Sequence, residues 1–350
     1  MKKYKIGIIG IGRIAHVHIE ALRKLENVQV VAISSRSNIV KKANKLGIEK
    51  YYINYKEMID NENLDSVHIT SSNDVHFEMA SYALNHGVNV ILEKPMTLNF
   101  DEAYKLYELS TQKPNISKIH FHNRFYAINQ YIKNNIDKIG DIISIHGEYT
   151  QGWAASPDIY NWRDNKLYGG NTRVIADVGT HYFDLIEFLT GHLITQVSAV
   201  FKTVFDKRAG VVVDTEDIGA VIYKTNFGAI GSCLISQSII GLDNKLTFTI
   251  SGTKATFISL GMDTKNAIYA DIMEGNKELS VTQLNTLKDG KLHDATTFVE
   301  SFREAFRQFY HELGNHEFKS DYANFKDGLH SMKLIDAIYQ SSITKKWVKV

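Results

Sequence analysis

The 350-residue sequence predicts an α/β protein of two domains: a doubly wound parallel sheet over residues 1–122, then a β-rich domain over residues 123–350. Three observations predict it. The chain is too long for one ordinary core. Its first part alternates apolar strand-like runs with helical spacing for about 120 residues, the pattern of a parallel sheet with crossover helices. After about Arg124, strand-like runs follow one another without helices of useful length between them, so the second sheet is expected to be mostly antiparallel.

Taken in order, Ile6-Gly7-Ile8-Ile9 is a short apolar strand ending in glycine. Ile14, Val17, His18, Ala21, Leu22 and Leu25 then recur at helical spacing. Val28–Ser34 is a second β-branched run, and Ser66–Ser71 a further strand. Val75–His86 reads as a helix stopped by Gly87. Asn89–Glu93 returns to strand, Asn99–Thr111 to helix and Ser117–Phe121 to strand. Past the change of pattern, one helix is expected over Ala127–Ile136. Strands follow at Ile142–Thr150, Gln196–Phe205, Asp217–Lys224, Ala229–Ser236, Lys245–Ser251 and Ala255–Ser259. Leu246, Phe248 and Ile250 alternate with Lys245, Thr247 and Thr249, as in a half-buried strand. Helices at Thr297–Gly314 and Asn324–Gln340 close the chain.

Composition excludes several classes of function. Apolar residues make up 44% and charged residues 23%, with a net charge of +1, so no general field draws nucleic acid or an anionic membrane. Cys233 is the single cysteine, which rules out an intrachain disulfide framework or a cysteine metal cluster. The start, Met-Lys-Lys-Tyr-Lys before a short strand, does not read as a signal peptide, and no stretch reaches the roughly 20 apolar residues of a membrane span. A cytoplasmic location is the expectation.

Gly10-Ile11-Gly12-Arg13-Ile14-Ala15 spells G-x-G-x-x-A between the first strand and an amphipathic helix. That is the fingerprint of a Rossmann dinucleotide site. Gly10 permits the tight turn, Gly12 lets a pyrophosphate approach the backbone, and Ala15 lets helix and strand pack closely. The first helical turn, with Arg13 and Ile14, offers N–H groups to the phosphates. The second strand ends Ser34-Ser35-Arg36-Ser37, where NAD sites usually carry an acidic residue for the ribose. Ser35 does not repel a 2′-phosphate and Arg36 can bind one, so NADP is expected ahead of NAD. The alternative leaves Arg36 a solvated loop charge.

Oxidising a secondary alcohol needs a base for the hydroxyl proton and a donor or cation for its oxygen; side chains suffice, and no metal site is expected. Glu93-Lys94-Pro95 places a lysine at the carboxyl end of a parallel strand, where such sheets bind ligands. Asp177, His181 and Asp184 share one face if 177–184 is helical. His181 titrates near neutrality, Asp177 can orient it, and Gly179 can admit a close neighbour. A helix-start carboxylate beside a satisfied histidine is the competing reading.

Together the G-x-G-x-x-A start, Glu93-Lys94-Pro95, and Gly169-Gly170 followed by Asp177-x-Gly179-x-His181-x-x-Asp184 resemble the glucose–fructose oxidoreductase/inositol dehydrogenase (Gfo/Idh/MocA) family over nearly the whole chain. The resemblance implies an α+β second domain with a large open sheet that builds dimers or tetramers, and substrate bound between the domains. It implies that Lys94 contacts the reacting hydroxyl, His181 is the acid/base and Asp177 accompanies it. It sets Ser71, Asn73 and His76 on the nicotinamide side, with Ser72 where many relatives carry proline, and Glu93 beside the cofactor. Trp162 and Arg163, in a loop similar to an insert of sugar-acting members, and Arg124 at the domain junction are candidates to bind a small sugar or polyol. Hydride transfer between NAD(P) and a carbinol carbon of a sugar, sugar derivative or inositol is the implied activity. Relatives that cleave glycosides by transient oxidation, and non-catalytic nucleotide-sensing regulators, are the alternatives.

Overall fold

The structure, a computed structural model, describes residues 3–287 and 294–350. It divides into two compact units: Met1–His122 with Phe298–Met332, and Asn123–Thr297 with Lys333–Val350.

The first unit runs β1 (Tyr4–Ile9), α1 (Arg13–Arg23), β2 (Val28–Ser34), α2 (Ile39–Leu46), β3 (Lys50–Tyr52), α3 (Tyr55–Asn61), β4 (Ser66–Ile69), α4 (His76–Asn85), β5 (Asn89–Leu92), α5 (Phe100–Thr111) and β6 (Ser117–Ile119). Its six strands pair in parallel in the order β3-β2-β1-β4-β5-β6. Ile6, Ile8, Val67, Ile69, Val90, Ile91 and Leu92 are buried in its core. Strands this apolar on both faces need helices on both sides. Two of those helices, α2 and α3, are absent from the sequence reading. At eight and seven residues they are too short for a helical period to stand out.

The second unit runs α6 (Ala127–Lys133), β7 (Ile142–Thr150), α7 (Lys166–Gly169), α8 (Thr180–Thr190), β8 (Ile194–Lys202), β9 (Lys207–Arg208), β10 (Val211–Val212), β11 (Ile218–Thr225), β12 (Ile230–Ser236), β13 (Lys245–Gly252), β14 (Ala255–Leu260), β15 (Asp263–Asp271), β16 (Gly275–Ser280) and α9 (Val281–Leu287). The chain ends with α10 (Phe298–Gly314), α11 (Phe325–Thr344) and β17 (Val348–Lys349). Nine strands form one sheet in the order β16-β15-β14-β13-β7-β12-β11-β8-β17. Its pairs are antiparallel except β7 with β12. β15 and β16 extend the sheet beyond the expected strands; their sequences, DTKNAIYAD and GNKELS, carry too few apolar residues to show a clean period of two.

Within the expected second domain, residues 123–350, the segment Phe298–Met332 packs with the first unit. The reason is α10: Phe302, Phe306, Phe309 and Tyr310 are buried, and Phe302 meets His18 of α1 edge-on while Phe306 lies tilted against it. Its position late in the chain concealed that partner.

The helix α8 is seated by glycine. A Cβ at Gly147 in β7 would lie 2.3 Å from the Thr247 carbonyl oxygen and 2.6 Å from the Tyr182 ring. Only glycine lets Tyr182 press into the sheet, where its hydroxyl meets that of Tyr223 at 3.1 Å. This fixes the helix that carries His181.

Candidate functional site

In the first unit the candidate groups gather at the carboxyl edge of the parallel sheet. Gly10 has φ +89, and a Cβ there would lie 2.7 Å from the Ser71 amide nitrogen. The turn after β1 and the loop after β4 therefore touch through a residue that has to be glycine. Thr70 locks them, its hydroxyl donating to the Gly10 carbonyl at 2.6 Å. Gly12 caps α1 with no side-chain partner, and a Cβ on it would meet no atom within 4 Å. The amides of the first turn, at exposed Arg13 and half-buried Ile14, begin an eleven-residue helix that presents open space to an anion. Ala15 is fully buried, as close helix–strand packing requires.

At the end of β2, Lys42 of α2 donates to the Ser35 hydroxyl at 2.9 Å. Arg36 is exposed, and its charge is felt by Tyr55 and Glu78, which are themselves hydrogen-bonded at 2.8 Å. Two cations thus flank Ser35; Lys42 escaped the sequence reading because α2 did.

Ser72 has φ −76, within the range of proline, so the loop keeps the shape a proline would impose. Asn73 is buried, and Ser71 donates to the Met79 sulfur at 3.3 Å. His76 spans two segments, with Nδ1 2.9 Å from the Pro95 carbonyl and Nε2 3.2 Å from that of Ser71. Burial holds its pKa below the ordinary value, so the neutral ring has one N–H, which the shorter contact to Pro95 takes. The Lys94–Pro95 peptide bond is cis. The Glu93 amide continues the ladder to Ile69 at 3.0 Å, and its carboxylate meets His18 Nε2 at 2.9 Å. Lys94 is half-buried, and burial together with the Lys94 charge pushes His122 down to about 3.

Among the described residues, one group could hold a metal: His18, Glu93 and His120, with donor atoms within 4.8 Å of one another. No metal site was expected. In this cluster the His18 and Glu93 donors already face each other at hydrogen-bonding distance.

In the second unit, Asp177 lies in a π-helical turn, Ile175–Gly179, that runs into α8 with His181 in its first turn. Asp177 accepts from Gln237 Nε2 at 2.7 Å and faces Arg163 Nε at 3.3 Å. Gln237 in turn reaches Gln151, which accepts from Trp153 Nε1 at 2.8 Å. Arg163 stacks over the Trp162 ring, 4.3 Å from its centroid. The structure therefore brings Trp162, Arg163 and Asp177 together and adds Gln237, Gln151 and Trp153. No motif marks those three, because β12 and the end of β7 bring them in from distant sequence. His181 is buried, with the Tyr149 ring 6.3 Å away; burial and the Asp177 charge raise the Tyr149 pKa.

Two details differ from the sequence reading. Arg124 is buried and holds Asp184 through two bonds of 2.8 and 2.5 Å, with its guanidinium over Phe188, so both charges are committed to packing α8. A Cβ on Gly179 would meet the Phe183 ring at 3.4 Å, an ordinary contact, so that glycine admits no unusually close neighbour.

The loop carrying Trp162 and Arg163 rests on a buried ionic net. Arg173 donates to Asp164 at 2.8 Å and also binds Asp217, which accepts from Arg208 at 2.5 Å. Glu216 accepts the Arg173 and Ile175 amides at 3.0 and 2.9 Å. Burial pushes its pKa up to about 7 against those donors. Asp164 also accepts the Asn161 amide at 2.7 Å, closing the turn on which Arg163 sits.

Known proteins share this architecture. Residues 4–121 match the family model of the Gfo/Idh/MocA oxidoreductases, NAD-binding Rossmann fold, and residues 133–350 match that family's C-terminal alpha/beta domain. The chain is 26% identical over 289 residues to the levoglucosan dehydrogenase of Pseudarthrobacter phenanthrenivorans, 74% of each chain. It is 25% identical over 305 residues to the myo-inositol 2-dehydrogenase of Thermotoga maritima, covering 85% of this chain and 88% of that one. A solved levoglucosan dehydrogenase, in complex with NADH and levoglucosan, superposes with a TM-score of 0.93 over 100% of this chain and 99% of its own, at 23% identity. That identity speaks for the fold. The glycine turn, the sheet order and the matched length agree: the chain is an enzyme, an NAD-binding oxidoreductase belonging to the Gfo/Idh/MocA family.

Proposed function

We propose that the protein transfers a hydride between a nicotinamide and a carbinol carbon of a sugar, sugar derivative or inositol. In the oxidation direction His181 takes the hydroxyl proton, Lys94 holds the oxygen, and Asp177 sets the imidazole. The hydride carries the bonding electron pair from carbon to the oxidised nicotinamide, which supplies the redox chemistry when bound. The observation that carries this reading is the presence, in one chain of this family, of Lys94 just past the end of β5 and of Asp177 one turn before His181. Gly10, Gly12, Arg13 and Ile14 receive the pyrophosphate; Ser71, Asn73, His76 and Glu93 line the nicotinamide side. Trp162 and Arg163 face the sugar, Arg163 through its contact with Asp177.

NADP is preferred to NAD in this proposal, because Arg36 and Lys42 flank an end of β2 that carries no carboxylate. The nine-stranded sheet is the oligomer surface, in a homodimer or homotetramer. Val200, Ala220 and Leu234 stand in register across β8, β11 and β12, and their exposed face also carries Ile222 and Ile230. Such a row is costly to leave in water. No helix among the described residues is long and apolar enough to cross a membrane, and a lone, buried cysteine fits a reducing cytoplasm.

A spectrophotometric screen of inositols, aldoses, glycosides and keto-sugars with both cofactors tests the reading. Accumulating reduced cofactor with at least one polyol is expected. Release of sugar from a glycoside without net cofactor reduction would replace it with the transient-oxidation mechanism.

A further inference from the structure

Behind the Glu93-Lys94-Pro95 turn, the first unit buries a row of polar groups that hydride transfer does not call on. Ser66 Oγ lies 2.9 Å from the Tyr310 hydroxyl, which lies 2.9 Å from His68 Nε2. His68 Nδ1 is 2.9 Å from His18 Nδ1, and His18 Nε2 is 2.9 Å from Glu93 Oε1. Ser66, His68 and His18 are fully buried and Tyr310 nearly so. Ser66 opens β4, His68 sits within it, and Glu93 follows the carboxyl end of β5. The row therefore spans the sheet from its amino edge to the edge where parallel sheets bind ligands.

Donor arithmetic gives the row a direction. Two imidazole nitrogens in contact need one N–H and one lone pair between them. The Glu93 carboxylate only accepts, so His18 Nε2 carries hydrogen. His18 is enclosed by the rings of Phe302, Phe306, His68 and His120. With a single N–H on His18, at Nε2, its Nδ1 accepts and His68 donates from its own Nδ1. Burial and the neighbouring His18 hold the His68 pKa well below its ordinary value, so that ring is neutral and accepts at Nε2 from Tyr310. Tyr310 then accepts from Ser66. Every hydrogen points toward Glu93, and aligned bonds of this kind polarise one another.

We propose that Ser66, Tyr310, His68 and His18 form a one-way hydrogen-bond relay that fixes the Glu93 carboxylate at the cofactor edge. His18 and His68 are thereby positioning residues for the Glu93-Lys94-Pro95 turn. The functional half rests on the catalytic reading of Lys94; the direction of the relay does not.

Neutron diffraction from crystals of the perdeuterated full chain tests the direction. Deuterium is expected on His18 Nε2 and His68 Nδ1, and on the Tyr310 oxygen toward His68. A doubly protonated His18, with His68 carrying deuterium on Nε2 instead, reverses the row and overturns the proposal. So does a stoichiometric transition metal that His18→Leu releases, because it would occupy the lone pairs of His18, Glu93 and His120. The positioning role is read from kcat against KM. His18→Leu is expected to lower kcat roughly tenfold, the scale of one hydrogen bond to a charged group, with the cofactor KM nearly unchanged. His18→Gln keeps an N–H for Glu93 and is expected to restore most of that loss. Equal kcat in both variants and the parent rejects the positioning role. Correct protons with a dispensable Lys94 would instead reject the catalytic reading alone.

Discussion

The two units differ in the polar groups they bury behind their candidate site residues. The first encloses imidazole rings and hydroxyls, His18, His68, His76, His120, His122, Tyr310 and Tyr322, with Glu93 at one end, and, apart from them, the ion pair of Lys118 with Glu312. The second encloses an ionic net, Arg173 and Arg208 against Asp164 and Asp217, with Glu216 accepting backbone amides beside it. A neutral network costs little to bury and has a donor direction that can be set. An ionic net is costly to bury and costlier to break, so it holds one geometry firmly. The first device suits a turn whose carboxylate has to be aimed. The second suits a long loop, 151–173, that has to present Trp162 and Arg163 with only short elements of its own.

Breaking the ionic net should produce the largest stability effect. Arg173→Met leaves Asp164 and Asp217 without a partner that each now has, and about 3–5 kcal/mol of stability should go with it. Denaturant unfolding monitored by hydrogen exchange should show the loss in the second unit. A change under about 1 kcal/mol, the scale of an exposed pair, would mean the net is not buried as described.

Acid should act on the other unit. His68, His76 and His122 have folded pKa values below the ordinary 6.5, His122 at about 3, chiefly through burial. The unfolded chain binds these protons more tightly than the folded one. Their contribution is therefore complete above about pH 6.5 and is lost as pH falls toward 3. Each tenfold difference in proton affinity between the two states is worth about 1.4 kcal/mol. In the second unit, His192 is lowered by burial too, but it is less buried. Exchange protection at about pH 5, inside that window, should therefore fall first around β4, β5 and α10. Earlier loss in the nine-stranded sheet would contradict the contrast.

Most of this fold was legible because long elements carry their period on the surface of the sequence: β1 with the glycine turn, α10, and the alternation in β13. What stayed hidden depends on contacts between distant segments. His18 read as one more residue on a helix face, and nothing in its neighbourhood announces His68 or Glu93. The net around Arg173 draws on positions 164, 208, 216 and 217, and β9 and β10 are two residues each. Asp177 and His181 were legible as a pair on one helix, whereas Gln237 was not. Arg124 looked like a substrate contact because its charge was visible and Asp184 was not yet seen as its partner.

Cofactor choice gives the smaller effects. Ser35→Asp should reverse the preference for NADP, since a carboxylate there repels a 2′-phosphate and accepts from a ribose hydroxyl. Lys42→Ala should weaken that preference by about fivefold at most, the range of one partly exposed charge. Competition titrations of both cofactors against each variant read these changes. Equal affinity in the parent, unmoved by Ser35→Asp, would contradict the NADP proposal.

The most direct test of the account takes one group from each unit. Lys94→Ala and His181→Ala should each reduce single-turnover hydride transfer by about 10²–10⁴, the range of general acid–base and oxyanion contributions, while cofactor binding stays within a few-fold of the parent. Near-parental transfer in both variants, with a polyol the parent oxidises, would contradict it.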